Sequence, residues 1–205
     1  MSYWESLTDG VPKGEGDQKG KRALACNVTK ATCKDRSKQA WNPPDEGWIK
    51  VNVDAAYVEA SGEAGIGVAI RDHRGSVLLS EWKKVFDAGS AEEIEAQACR
   101  EGLVLAAEWT PDSTILESDC STVARYLANP KIQRTAACYV IREAVEISRS
   151  LPRIVFRHIG RASNTLAHKL AQLARRLNHS AVWRNRCPAS VEHLVAQDVN
   201  TRIIQ

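Results

Sequence analysis

Hydrophobic and polar residues alternate strictly through Trp48-Ile49-Lys50-Val51-Asn52-Val53-Asp54, the period of a strand that buries one face. Ile49, Val51 and Val53 form the apolar face, and Lys50, Asn52 and Asp54 the polar one. Two further strands are predicted. Gly65 to Ile70 follows the turn at Ser61-Gly62, and Val77 to Trp82 follows Asp72-His73-Arg74-Gly75, whose last residue can take positive φ. Connections this short predict an antiparallel meander.

The period then lengthens. Ser90-Ala91-Glu92-Glu93 has the form of a capping box and predicts a helix running to about Trp109. Glu95, Cys99, Gly102 and Ala106 fall on one helical stripe, small residues headed by a carboxylate, which suits close packing on a sheet. Glu92, Glu93 and Glu101 are expected on the dipole and solvent face. A strand over 114–119 must run parallel to an earlier one, because a helical crossover precedes it. It ends at Asp119, where the next helix begins. Asn129-Pro130 separates that helix from another over 136–149. A fifth strand over 152–159 and an amphipathic helix from about Ser163 complete the pattern. In that last helix Leu166, Leu170, Leu173 and Leu177 face inward, with Asn164, His168 and Arg175 on a polar flank. The order β-β-β-α-β-α-α-β-α describes an α/β fold, a mixed five-stranded sheet flanked by helices.

Composition narrows this picture in two places. Residues 1–40 carry eight Lys and Arg against five Asp and Glu, which accounts for the whole net charge of +3. That stretch is poor in aliphatic residues, so a flexible basic leader is expected there, with the folded domain over 41–195 and a short tail over 196–205. The pair Pro43-Pro44 marks the entrance to the domain. No apolar run is long enough for a membrane span and the first ten residues lack the order of a secretory signal, so an intracellular protein is expected. Six cysteines occur without CxxC or zinc spacing, which predicts reduced thiols.

Asp54, Glu95 and Asp119 each stand at the edge of a regular element, and three carboxylates so placed suggest a metal site. The motifs around them carry a resemblance. Val51-Asn52-Val53-Asp54, Glu95-Ala96-Gln97-Ala98, Glu117-Ser118-Asp119 and the run Arg161-Ala162-Ser163-Asn164-Thr165-Leu166-Ala167-His168, in that order, resemble the type-1 ribonuclease H domain. More narrowly they are similar to the plant reverse-transcriptase-like group derived from non-LTR retroelements, as are Trp41-Asn42-Pro43-Pro44 and Cys187-Pro188.

The resemblance implies a ribonuclease H-like fold and hydrolysis of the RNA strand of an RNA–DNA hybrid with two Mg²⁺ ions, Mn²⁺ being a possible substitute. Asp54 would bridge the ions, and Glu95 and Asp119 would complete their shells. His168 stands where the catalytic family has an acid, and an imidazole there suits Mn²⁺ or Zn²⁺ better than Mg²⁺. Arg161, Asn164, Lys169 and Arg175 are the candidate substrate contacts, read as backbone and phosphate contacts and not as base readers. A monomer is expected. A retroelement relic that binds nucleic acid or protein without cutting is the alternative, motivated by His168.

Overall fold

The computed structural model describes residues 40–129, 136–177 and 179–200; the leader expected over 1–40 lies, up to residue 39, outside them. The meander forms as β1 (Trp48–Val58), β2 (Glu63–Arg71) and β3 (Val77–Val85). Asp72 Oδ1 accepts from the amides of Arg74 and Ser76, and Gly75 follows at φ +85, so this side chain and this glycine make the second turn. Helix α1 (Ala91–Trp109) opens on Ser90, whose side chain accepts from Glu93 N. It is followed by β4 (Ser113–Ser118), α2 (Ser121–Ala128), α3 (Cys138–Ser148), β5 (Ile154–His158) and α4 (Thr165–Arg176).

Two elements go beyond the expected order. A sixth strand, β6 (Ala181–Arg184), pairs antiparallel with β3, and helix α5 (Glu192–Asn200) passes through residue 196. The sheet is therefore six-stranded, ordered β5-β4-β1-β2-β3-β6, and mixed, with β4 and β5 parallel to β1. Four residues are too few to establish a period, which is why β6 is silent in the sequence; Trp183 holds it by packing edge-on against Trp82 at 4.5 Å. Among the described residues no helix is long and apolar enough to cross a membrane.

The sheet is covered on both sides. Val51, Val53, Ile66, Val68 and Ile70 pack with α1, α2 and α3 on one face, while Ala69 and Trp82 pack with α4 on the other. The polar face of β1 is consequently buried as well, contrary to the one-sided strand its alternation predicts: Lys50, Asn52 and Asp54 are all buried. What makes this burial tolerable is mutual pairing. Lys50 Nζ lies 2.8 Å from Glu117 Oε1, and Asn52 Nδ2 donates to Glu117 Oε2 at 3.0 Å. Arg71 donates to Asn52 Oδ1 at 3.0 Å and to Asp198 Oδ2 of α5 at 2.6 Å, while its guanidinium lies over the Trp41 ring. Glu101, expected on the solvent face, is also buried, because Lys83 reaches it at 2.7 Å.

Two close approaches set the helices on the sheet. A Cβ on Gly102 would meet Val53 Cγ1 at 2.6 Å and Val51 Cγ1 at 2.9 Å, so α1 rests directly on β1. On the other side, Gly65 and Gly67 face α4, and a Cβ on Gly67 would run into the backbone at Ala167 and Ala171. Backbone on a buried helix cannot turn aside as a side chain can. Gly67→Ala should therefore cost about 2–3 kcal/mol, read as a lower midpoint in urea, whereas Gly62→Ala, with open space around it but φ +68, should cost only about 1 kcal/mol.

Candidate metal centre

The pairing of β1 with β4 ends at Val53 and Ser118. Beyond that point β1 continues with β2 alone, so a cleft opens, and the first residue past it on either strand is an aspartate: Asp54 and Asp119. Glu95, in the second turn of α1, reaches the same cleft because Gly102 lets that helix lie close to β1. One oxygen from each of Asp54, Glu95 and Asp119 lies within 4.8 Å of the others.

The chain leaves this negative charge poorly compensated. Asp54 Oδ1 and Glu95 Oε2 are buried and have no hydrogen-bond partner among the described residues. Burial first, then the nearby Glu95 and Asp119 carboxylates, push the Asp54 carboxyl up to about 9. Burial and Asp119 push Glu95 up to about 8. The guanidinium of Arg161, with Nε 3.2 Å from Asp119 Oδ2, opposes both shifts but is largely exposed. Three converging oxygen donors, two of them buried without a proton donor, fit a hard divalent cation such as Mg²⁺ or Mn²⁺.

Helix α4 supplies the other wall. Asn164 is buried at its start and donates from Nδ2 to Val53 O at 2.9 Å, which fixes the helix beside Asp54. One turn on, His168 Nδ1 lies 2.7 Å from Asp54 Oδ2. Burial, then Arg161, holds the imidazole below its usual value. Lys169 is exposed and donates to Gln172, and Arg175 lies 3.8 Å from Glu63 at the far end of β2; neither is brought to the carboxylates. Two residues that no motif flags do join them. Gln172 Nε2 lies 2.9 Å from His168 Nε2, and His158 Nε2 lies 3.2 Å from Asp119 O. His158 pairs with Ser118 in the parallel ladder, so the end of β5 lies at the same rim as Asp119. A cavity of about 440 Å³ lined by Ser121, Arg125, Asn129, Phe156 and His158 leads away from the rim between α2 and β5.

Residues 52–174, more than half of the chain, match the family described as reverse transcriptase-like. The chain belongs to the reverse transcriptase-like family. No curated protein matches the sequence. Among solved structures, this reverse transcriptase-like chain is similar to RNase H1 from the halophilic archaeon Halobacterium salinarum NRC-1, with TM-score 0.58 and 21% identity over 62% of this chain and 97% of that one. The N-terminal RNase H domain of rv2228c from Mycobacterium tuberculosis, solved as a maltose-binding-protein fusion, gives 0.59 and 19% over 64% and 95%. LC11-RNase H1, from compost, in complex with an RNA/DNA hybrid gives 0.57 and 21% over 62% and 96%. At these identities the likeness establishes the fold, which is ribonuclease H-like.

The burial of Asp54 in this reverse transcriptase-like fold has a thermodynamic sign. Its carboxyl rises from an ordinary 3.8 to about 9 on folding, so the folded state favours the neutral form and metal-free stability falls as pH rises through that window. Asp54→Asn should accordingly melt higher than wild type at pH 8 without metal, by about 4–8 °C for about 2 kcal/mol, and the gap should close toward pH 4. Mg²⁺ should raise the melting temperature of the wild type and leave that of the variant unchanged.

Proposed function

We propose that this protein is a metal-dependent endonuclease that hydrolyses the RNA strand of RNA–DNA hybrids. The observation that carries the reading is the meeting of Asp54, Glu95 and Asp119 in the β1–β4 cleft, with two buried oxygens unpartnered among the described residues. The hybrid in the LC11-RNase H1 complex supports nucleic acid as the partner.

Asp54, Glu95 and Asp119 are the residues that would hold divalent cations, Mg²⁺ or Mn²⁺. Bound there, the cations would supply a polarised water and neutralise charge on the phosphate being cleaved. The protein's own groups do the rest. Burial of Asp54 at 1% exposure keeps bulk water from the base of the cleft. Arg161, anchored at Asp119 yet mostly exposed, presents its free donors to a backbone phosphate in the fork geometry that suits it. Arg125, which lines the cavity between α2 and β5, would add a phosphate contact that reads no bases. His158, whose Nε2 lies 3.2 Å from Asp119 O, would be the group at the rim to hold a proton for the leaving oxygen. Affinity built from so few cations should be low, and its fall with salt should be shallow, in proportion to the few phosphates neutralised.

The decisive assay is cleavage of a labelled RNA strand annealed to DNA, with Mg²⁺ and with Mn²⁺. Wild-type protein should cut the hybrid and spare the same RNA alone. Asp54→Asn should lose at least about 10³-fold in kcat, as expected when a ligand of the reacting centre is removed. Folded protein that binds the hybrid but cuts it with neither ion would make this a hybrid-binding protein instead.

A further inference from the structure

Helix α2 meets the edge strand β5 with a face that does not fill the space between them. Ser121, Ala124, Arg125 and Ala128 recur at the spacing of one helical face. Phe156 and His158, two residues apart, share one face of β5. The two alanines supply too little bulk to close the gap, which leaves the cavity of about 440 Å³, with Asn129, the C-cap of α2, also in its lining. That volume lies in the range of small-molecule sites, roughly 300–1,000 Å³. Because β5 is the outermost strand, the cavity stands at the border of the sheet.

Its chemistry is unlike that of the neighbouring centre. None of the described lining residues is acidic: a guanidinium, an imidazole, an amide, a hydroxyl and an aromatic ring surround the space. Such a set suits a flat heterocycle joined to a phosphate. The ring of Phe156 offers a stacking face, the amide of Asn129 both donates to and accepts from a base edge, and Arg125 meets the phosphate. His158 ties the cavity to the centre, since it lines the one while its Nε2 lies 3.2 Å from the backbone oxygen of Asp119, which serves the other. A base inside a duplex has its faces covered by its neighbours and its edge taken by its partner, so it reaches Phe156 only by leaving the stack. We propose that this cavity is a nucleobase subsite, which takes an unpaired base of the RNA strand and directs the protein to hybrids carrying a bulged or mismatched ribonucleotide. The inference rests on the ribonuclease reading for the choice of strand and the position of the cut, because the strand lying on the centre is the one being cleaved. Phe156 and Asn129 hold the base, and Ala124 and Ala128 determine specificity by being small.

The test pairs binding with cleavage, on the full-length protein. Two hybrids are used whose RNA strand carries 2-aminopurine, in one paired with thymine and in the other bulged, with no partner in the DNA. Without metal, anisotropy of a dye on the DNA gives the affinity, and 2-aminopurine emission reports stacking, which quenches it. Wild type should bind the bulged hybrid about tenfold more tightly than the paired one, with a fall in emission. Ala128→Phe, whose added ring occupies the cavity, should bring that ratio close to one, and Phe156→Leu, which keeps the apolar bulk on β5 but removes the aromatic face, should reduce it. Should Ala128→Phe not fold, the ratio in Phe156→Leu decides. With Mg²⁺, wild type should place its cut at the bulge. Equal affinity for the two hybrids, a rise in emission, or a bulge preference that both variants retain would each overturn the subsite. Wild type that prefers the bulge but cuts neither hybrid sinks the nuclease and leaves the subsite, whereas wild type that binds and cuts both alike sinks the subsite alone.

Discussion

Everything around the β1–β4 cleft follows from the need to hold like charges together out of water. Carboxylates repel one another, and each loses hydration on burial, so Asp54 and Glu95 would leave the cleft if their backbones could let them. The backbones cannot. Asp54 is fixed by the β2 ladder on one side and by the end of the β4 ladder on the other. Glu95 is fixed by the contact of Gly102 with Val51 and Val53. Strand pairing and helix packing thus supply the energy that the electrostatics of the metal-free cleft oppose, which is the relation expected of a site kept ready for a cation.

The lower half of the same polar face shows the contrast. Lys50, Asn52, Glu117, Arg71 and Asp198 bury comparable charge, but there each carboxylate meets a cation or an amide at 2.6–3.0 Å. Such a network adds specificity more than net stability. It closes the sheet beneath the cleft and brings α5 and Trp41 onto the strands that carry the site. Along β1 the alternate residues therefore pass from paired charge at Lys50 to the partnerless oxygen of Asp54 within two turns of the pleat.

Much of this was legible in the chain, and the rest was hidden for physical reasons. Asp54 and Asp119 could be read because strand ends are marked by a change of period, and Glu95 because its stripe of small residues gives away close packing. Glu101 was misread because a helix face alone does not say whether a lysine from another strand will reach it, as Lys83 does. Arg71 and Asp198 are 127 residues apart, and no local pattern links them. Gln172 looks like any polar residue of an amphipathic helix until His168 is seen to point at Asp54. The alternation in β1 reported the pleat correctly and could not report that a second layer of helices covers the polar side.

The fit of α4 against Gly65 and Gly67 has a mechanical consequence. With backbone in contact with backbone and no side chain between, helix and strand are geared together, and neither can slide or roll without prising the other loose. The wall that bears His168 and Asn164 is thus the stationary jaw of the cleft. Any adjustment to a guest has to come from the opposite jaw, where β4 is six residues long and Arg161 hangs in solvent from Asp119.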